Sequence, residues 1–152
     1  MLELLAVFLG FLLLVISAIH FYWALGGVWP ASDEITLVKT VIGSPPSKNG
    51  IPASMPPRML TFLVAIAILA AAFFPIIWAG LILPYPIHAS LVMIGMWVLT
   101  AIFLLRGITG MLPFFDRFSP EEPFRSLNRK YYSPLCLLIA LGLGLLIYLA
   151  TY

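Results

Sequence analysis

Few side chains in this 152-residue sequence can take part in chemistry, and their placing narrows what that chemistry is. The two histidines, His20 and His88, invite a haem, because two imidazoles can bracket one iron. His20 alone could act as an acid or a base, and Arg106 could hold an anionic group. Ser17, His20, Trp23 and Gly27 recur at helical spacing and fall on one face. Tyr131, Tyr132 and Ser133 open a later apolar run. The single cysteine, Cys136, has no second thiol with which to form a disulfide or a metal site. There is no nucleotide loop, no metal-ligand cluster and no motif pairing a nucleophile with a base. Neither metal nor cofactor is expected.

What these residues can do depends on the elements that carry them. The chain is 62% hydrophobic and 9% charged, whereas soluble domains carry about 25% charged residues. Four apolar runs, at residues 2–25, 59–83, 87–107 and 133–152, each reach the roughly 20 residues that span a bilayer. They are continuous and rich in Leu, Ala and Ile, unlike the alternating strands of a membrane barrel. The expected fold is all-α, a membrane bundle of four antiparallel transmembrane helices forming a single domain over residues 1–152. The first run lacks a basic leader, with Glu3 the sole side-chain charge before His20, and reads as a retained span and not a signal peptide.

The basic residues fix an expected orientation. Lys39, Lys48 and Arg58 lie between the first two runs. Arg106, Arg117, Arg125, Arg129 and Lys130 lie between or beside the last two. These are all eight Lys and Arg of the chain. Cationic loops are retained in the cytoplasm, so both long loops are expected inside and both termini outside. The first span then descends inward and places His20 roughly 27 Å along it. His88 opens the third span at the outer surface, and two residues on opposite sides of the bilayer cannot share one iron. Arg106 is level with His20, and so is Tyr132. The candidate ligand cluster is therefore His20, Trp23, Arg106 and Tyr132, at the cytoplasmic leaflet. The competing interpretation is interfacial anchoring, with Trp and Tyr in an aromatic belt and Arg106 reaching for headgroups. No acid lies in mid-membrane, which argues against a proton-driven exporter.

The loops carry their own signals. Ser32 reads as the N-cap of a short interfacial helix over residues 33–42, with Asp33 and Glu34 in its first turn, although the Thr, Val and Ile content also suits a strand. Ile35, Val38 and Ile42 share its face, and Gly43 stops it. Residues 44–57 hold five prolines and must be irregular. Ser119-Pro120-Glu121-Glu122 forms a capping box for a helix over residues 120–128, with Phe124 and Leu127 toward the membrane. Ser133-Pro134 repeats that logic at the start of the fourth span. Pro75 predicts a kink in the second span. Pro84-Tyr85-Pro86 predicts a tight turn between the second and third spans. Ala140 and Gly144 permit close helix approach.

The string His20-Phe21-Tyr22-Trp23-Ala24-Leu25-Gly26-Gly27 followed by Trp29-Pro30 resembles the opening signature of a bacterial family of small four-span membrane proteins of unknown function. Ser32-Asp33, Val41-Ile42-Gly43, Leu105-Arg106-Gly107 and the block Leu127-Asn128-Arg129-Lys130-Tyr131-Tyr132-Ser133-Pro134-Leu135-Cys136 extend the likeness over nearly the whole chain. The resemblance implies four helices in the bacterial inner membrane and no reaction. Three functions stay open. The first is a non-enzymatic accessory or scaffold subunit, or a binder of a lipid or small apolar ligand at the cytoplasmic leaflet. The second is a small enzyme acting on a lipid or isoprenoid, with His20 as acid or base. The third is an oligomeric transporter. The partners expected are the lipid bilayer, a bound lipid or apolar ligand, and a larger membrane complex or a homo-oligomer. Nucleic acid is not expected.

Overall fold

The computed structural model describes residues 1–44, 54–82 and 89–151. The expected turn at Pro84-Tyr85-Pro86, and with it His88, lies outside the described residues. The fold is all-helical. Helix α1 spans Leu2–Ala24, α2 spans Glu34–Val41, α3 spans Arg58–Trp78 and α4 spans Ala89–Met111. A 3-10 turn at Pro113–Arg117 leads to α5, Phe124–Leu127. A π turn at Asn128–Tyr132 joins α5 to α6, Ser133–Thr151. Among the described residues, four helices are long and apolar enough to cross a membrane: Leu2–Ala24, Arg58–Trp78, Ser90–Met111 and Phe124–Ala150. The chain is a multi-pass membrane protein. Its outer surface agrees, since Leu91, Ile94, Trp97, Val98, Ile102 and Leu105 of α4 are all at least half exposed on the protein alone. A stripe of that size is at home in hydrocarbon and costly in water.

The long helices pack mainly as two antiparallel pairs, α1 with α3 and α4 with α6. Lesser contacts of α1 with α6 and of α3 with α4 close the ring, so α1 and α4 stand across a diagonal. The core is Leu9, Leu13, Met96, Ile139, Leu143 and Leu146, with Ala6, Ala65 and Ala72 where backbones come close. Between spans, lipid supplies no hydrophobic drive, so packing and interhelical hydrogen bonds decide. Gly10 is one such point: a Cβ there would lie 3.0 Å from the Ala72 carbonyl. Ser17 is another, donating from its buried hydroxyl to the Ala65 carbonyl at 2.8 Å.

Helix ends follow the residue chemistry, with corrections in the loops. Gly26 ends α1 at φ 93° and Gly80 ends the α3 turn at φ 73°, conformations that only glycine adopts freely. Asp33, and not Ser32, caps α2. Its carboxylate accepts from the Thr36 N–H at 2.9 Å, while the Ser32 hydroxyl donates to its other oxygen at 2.8 Å. The buried face of α2 is Leu37, Val38 and Thr40, whereas Ile35 is exposed. Pro75 stays within α3 and is fully buried.

The capping box at Ser119 does not start a helix. The first helical residue is Phe124, and the Glu122 carboxylate instead accepts from the Ser126 hydroxyl at 2.7 Å. Phe124 faces inward, 3% exposed, against Gly43 and Tyr132, and not toward the membrane. Nor does a new helix begin at Ser133-Pro134. The chain runs helically through the proline because the π turn widens the coil, with the Ser133 N–H reaching back to the Asn128 carbonyl. That widening relieves the clash and the lost bond that proline imposes on an α-helix.

Candidate functional site

The polar side chains gather at the end of the bundle that carries the two long loops, in two groups. The first is built on the last two turns of α1. The His20 Nδ1 donates to the Ile16 carbonyl at 2.8 Å, so Nε2 is the ring nitrogen left over from that bond. Its ring lies 5.1 Å from that of Trp23, tilted by 60°. The Trp23 indole donates to the Trp29 carbonyl at 2.7 Å and ties the descending loop to the helix end. Gly27 is required there, since any Cβ would strike the Tyr22 ring.

Two recesses open beside Trp23, between α1, the start of α3 and α2. One, of about 200 Å³, is apolar and lined by His20, Trp23, Val41, Ile42, Leu60 and Val64, among others. The other, of about 240 Å³, is lined by Trp23, Gly26, Gly27, Glu34, Leu37 and Arg58, among others. Trp23, Met55, Pro56 and Thr61 border both. The two are therefore adjoining chambers, one greasy and one charged, with Trp23 in the shared wall. The Glu34 carboxylate is steadied by the Met55 N–H at 3.3 Å. The Arg58 guanidinium lies over Gly26, where a Cβ would be 3.2 Å from Nη2.

The second group centres on Arg106, across the diagonal. Its guanidinium donates to the Asn128 Oδ1 at 2.8 Å and to the Ser133 hydroxyl at 3.5 Å, and lies 5.2 Å over the Phe115 ring. Asn128 is 2% exposed and donates in turn to the Gly110 carbonyl at 2.7 Å. The Ser133 hydroxyl donates to Asn128 Oδ1 at 3.2 Å. Among the described residues no carboxylate is within ion-pair distance of Arg106. Nearby, Asp116 takes both Arg129 at 2.6 Å and Arg125 at 3.1 Å.

The four sequence candidates are thus distributed over both groups. His20 and Trp23 belong to the double recess. Arg106 belongs to the α4/α6 network, and it does not line the chamber that His20 lines. Tyr132 bridges them indirectly: its hydroxyl donates to the Thr40 carbonyl at 3.2 Å, clasping α2 onto the π turn. The Glu121 N–H adds a bond to the Gly43 carbonyl at 3.3 Å. Sequence reasoning missed Asn128, taken there for a helix end, and missed Glu34 and Arg58 as partners in one cavity. A signal for Asn128 was available, since an amide beside an intramembrane arginine is a ready partner for it.

Residues 13–143 match a family described as "Protein of unknown function (DUF3995)". The chain belongs to that family. No curated protein and no solved structure matches it. In this DUF3995 chain, among the described residues, no group of three or more His, Cys, Asp or Glu side chains could hold a metal ion. What the site offers instead is an apolar slot beside a charged one, at the end of α1 that leads into the first long loop.

Proposed function

We propose that this protein is a non-enzymatic bacterial inner-membrane protein that holds a phospholipid or a similar amphiphile at the cytoplasmic leaflet, with both long loops inside and both termini outside. The observation that carries this is the pair of chambers sharing Trp23. An amphiphile needs one apolar and one polar compartment in contact, with a wall that suits both, and indole is such a wall. His20, Leu60 and Val64 would line the tail, and Glu34 and Arg58 the head. The charge pattern supports the orientation, since all eight cations sit at the loop end or in the loops.

Native mass spectrometry of the detergent-purified protein tests the function. One phospholipid per chain should survive delipidation. Val64→Trp, which fills the apolar chamber, should release it, while Leu141→Trp on the exposed face of α6 should not. Equal retention by both variants would place the lipid elsewhere.

A second reading, an enzyme acting on a lipid or isoprenoid, draws on one feature: the hydrogen bond from His20 Nδ1 leaves Nε2 as a base in a side chain bordering the apolar chamber. Turnover of added lipid that disappears in His20→Ala would replace binding by catalysis.

A further inference from the structure

Glu34 and Arg58 line one 240 Å³ chamber, yet no ion pair joins them. Both side chains are exposed and neither is neutralised by the other. Glu34 takes the Met55 N–H, and Arg58 is laid over the bare backbone of Gly26, whose φ of 93° itself favours glycine. Among the described residues the Arg58 guanidinium has no hydrogen-bond or ion-pair partner. Two opposite charges held apart around a small cavity next to a bilayer form a dipolar receptor. A purely anionic head would meet the Glu34 carboxylate at a cost, and a purely cationic one would meet Arg58. A head with both charges satisfies both.

Resting on the proposed lipid-binding function, we propose that the charged chamber selects a phosphoethanolamine head, with the phosphate on Arg58 and the primary ammonium on Glu34. Guanidinium and phosphate make fork-like, charge-assisted hydrogen bonds, and an ammonium with three N–H donors does the same with a carboxylate. A quaternary ammonium has no N–H to donate, so phosphocholine is disfavoured. A phosphoglycerol head is disfavoured by its net charge beside Glu34. The tail then leaves past Trp23 into the chamber bordered by Leu60 and Val64.

The test is lipid retention by the full chain, exchanged into nanodiscs of equal parts phosphatidylethanolamine, phosphatidylglycerol and phosphatidylcholine and then read by native mass spectrometry. The wild type should retain phosphatidylethanolamine over the other two by about tenfold, the scale of one hydrogen bond to a charged group. Glu34→Gln should reduce that preference to near unity while lipid is still retained. Arg58→Gln should lower retention of all three, and Arg58→Lys should restore part of it. A wild type that retains lipid with no headgroup preference, or prefers phosphatidylglycerol, overturns the headgroup assignment and leaves lipid binding intact. A Glu34→Gln chain that keeps the tenfold preference overturns it as well. A wild type that retains no lipid removes both proposals together.

Discussion

Arg106 and Asn128 hold one another across the α4/α6 interface: the guanidinium donates to Oδ1 at 2.8 Å, and the amide is turned so that Nδ2 donates at 2.7 Å to the Gly110 carbonyl, one turn beyond Arg106 on α4. The amide thus answers a cation and a carbonyl at once, and the 2.8 Å bond is the shorter of the two that the guanidinium makes among the described residues. An arginine near the end of a span normally reaches outward for headgroups. This one is drawn inward by a residue that the π turn delivers.

Asn128→Leu should therefore cost more than the loss of one surface hydrogen bond. It strips the guanidinium and the Gly110 carbonyl of their buried partner, with an expected loss of about 1–3 kcal/mol. Thermal unfolding in detergent reads it. A melting temperature equal to wild type would mean that Arg106 finds headgroups or water at no cost.

Two glycines separate packing from propensity. A Cβ at Gly110 would strike the Arg106 guanidinium and the Ser133 hydroxyl, whereas at Gly144 the nearest side-chain atom, on Thr100, is 4.0 Å away. Gly110→Ala is expected to destabilise by about 1–3 kcal/mol. Gly144→Ala should be neutral or stabilising by up to about 1 kcal/mol, since alanine is the better helix former. The reverse ranking in the same unfolding assay would contradict the packing described for α4 and α6.

Much of this architecture was legible in the sequence, and the reasons it was not fully so are specific. Hydropathy found all four spans, because length and apolar content alone set them. It placed α2 within a residue of its ends, because Asp33 and Gly43 punctuate it. It failed at Ser119 and Ser133, where cap-like strings sit before prolines. A capping pattern describes a helix that begins, and at Ser133 the helix passes through on a π turn that no periodicity reveals. Position along a span can be counted from the sequence, and that count is what groups His20 with Arg106. Azimuth cannot be, because it depends on which helices neighbour which. The pairing of α1 with α3 and of α4 with α6 gives His20 and Arg106 different surroundings.

The cap of α2 predicts a pH dependence. Hydrogen bonds from the Thr36 N–H, then from Ser32 and the Thr36 hydroxyl, hold the Asp33 carboxyl below its ordinary value of 3.8. A depressed folded-state pKa means that the cap's contribution is complete above 3.8 and is lost as pH falls through the lower folded value. Protection factors of the amides over residues 34–41, corrected for the intrinsic pH dependence of exchange, should stay constant down to that point and then fall. Asp33→Asn, which still caps, should flatten the profile, and Asp33→Ala should exchange faster throughout. Wild-type protection in Asp33→Ala would show that tertiary contacts, and not the cap, hold α2.

Orientation is checked with a reporter that works only outside the cytoplasm. Fused after Tyr152 it should be active, and inserted near Pro120 it should be silent. The opposite pattern would move the double recess to the outer leaflet.

The most direct test of lipid holding is an experimental map of the protein in a lipid nanodisc. Density should run as a single branch from the chamber between Glu34 and Arg58, past Trp23, to Leu60 and Val64, with its bulkiest part at the charged end. Both chambers filled only by side chains or water, with lipid ordered solely on the outer faces of α4 and α6, would contradict it.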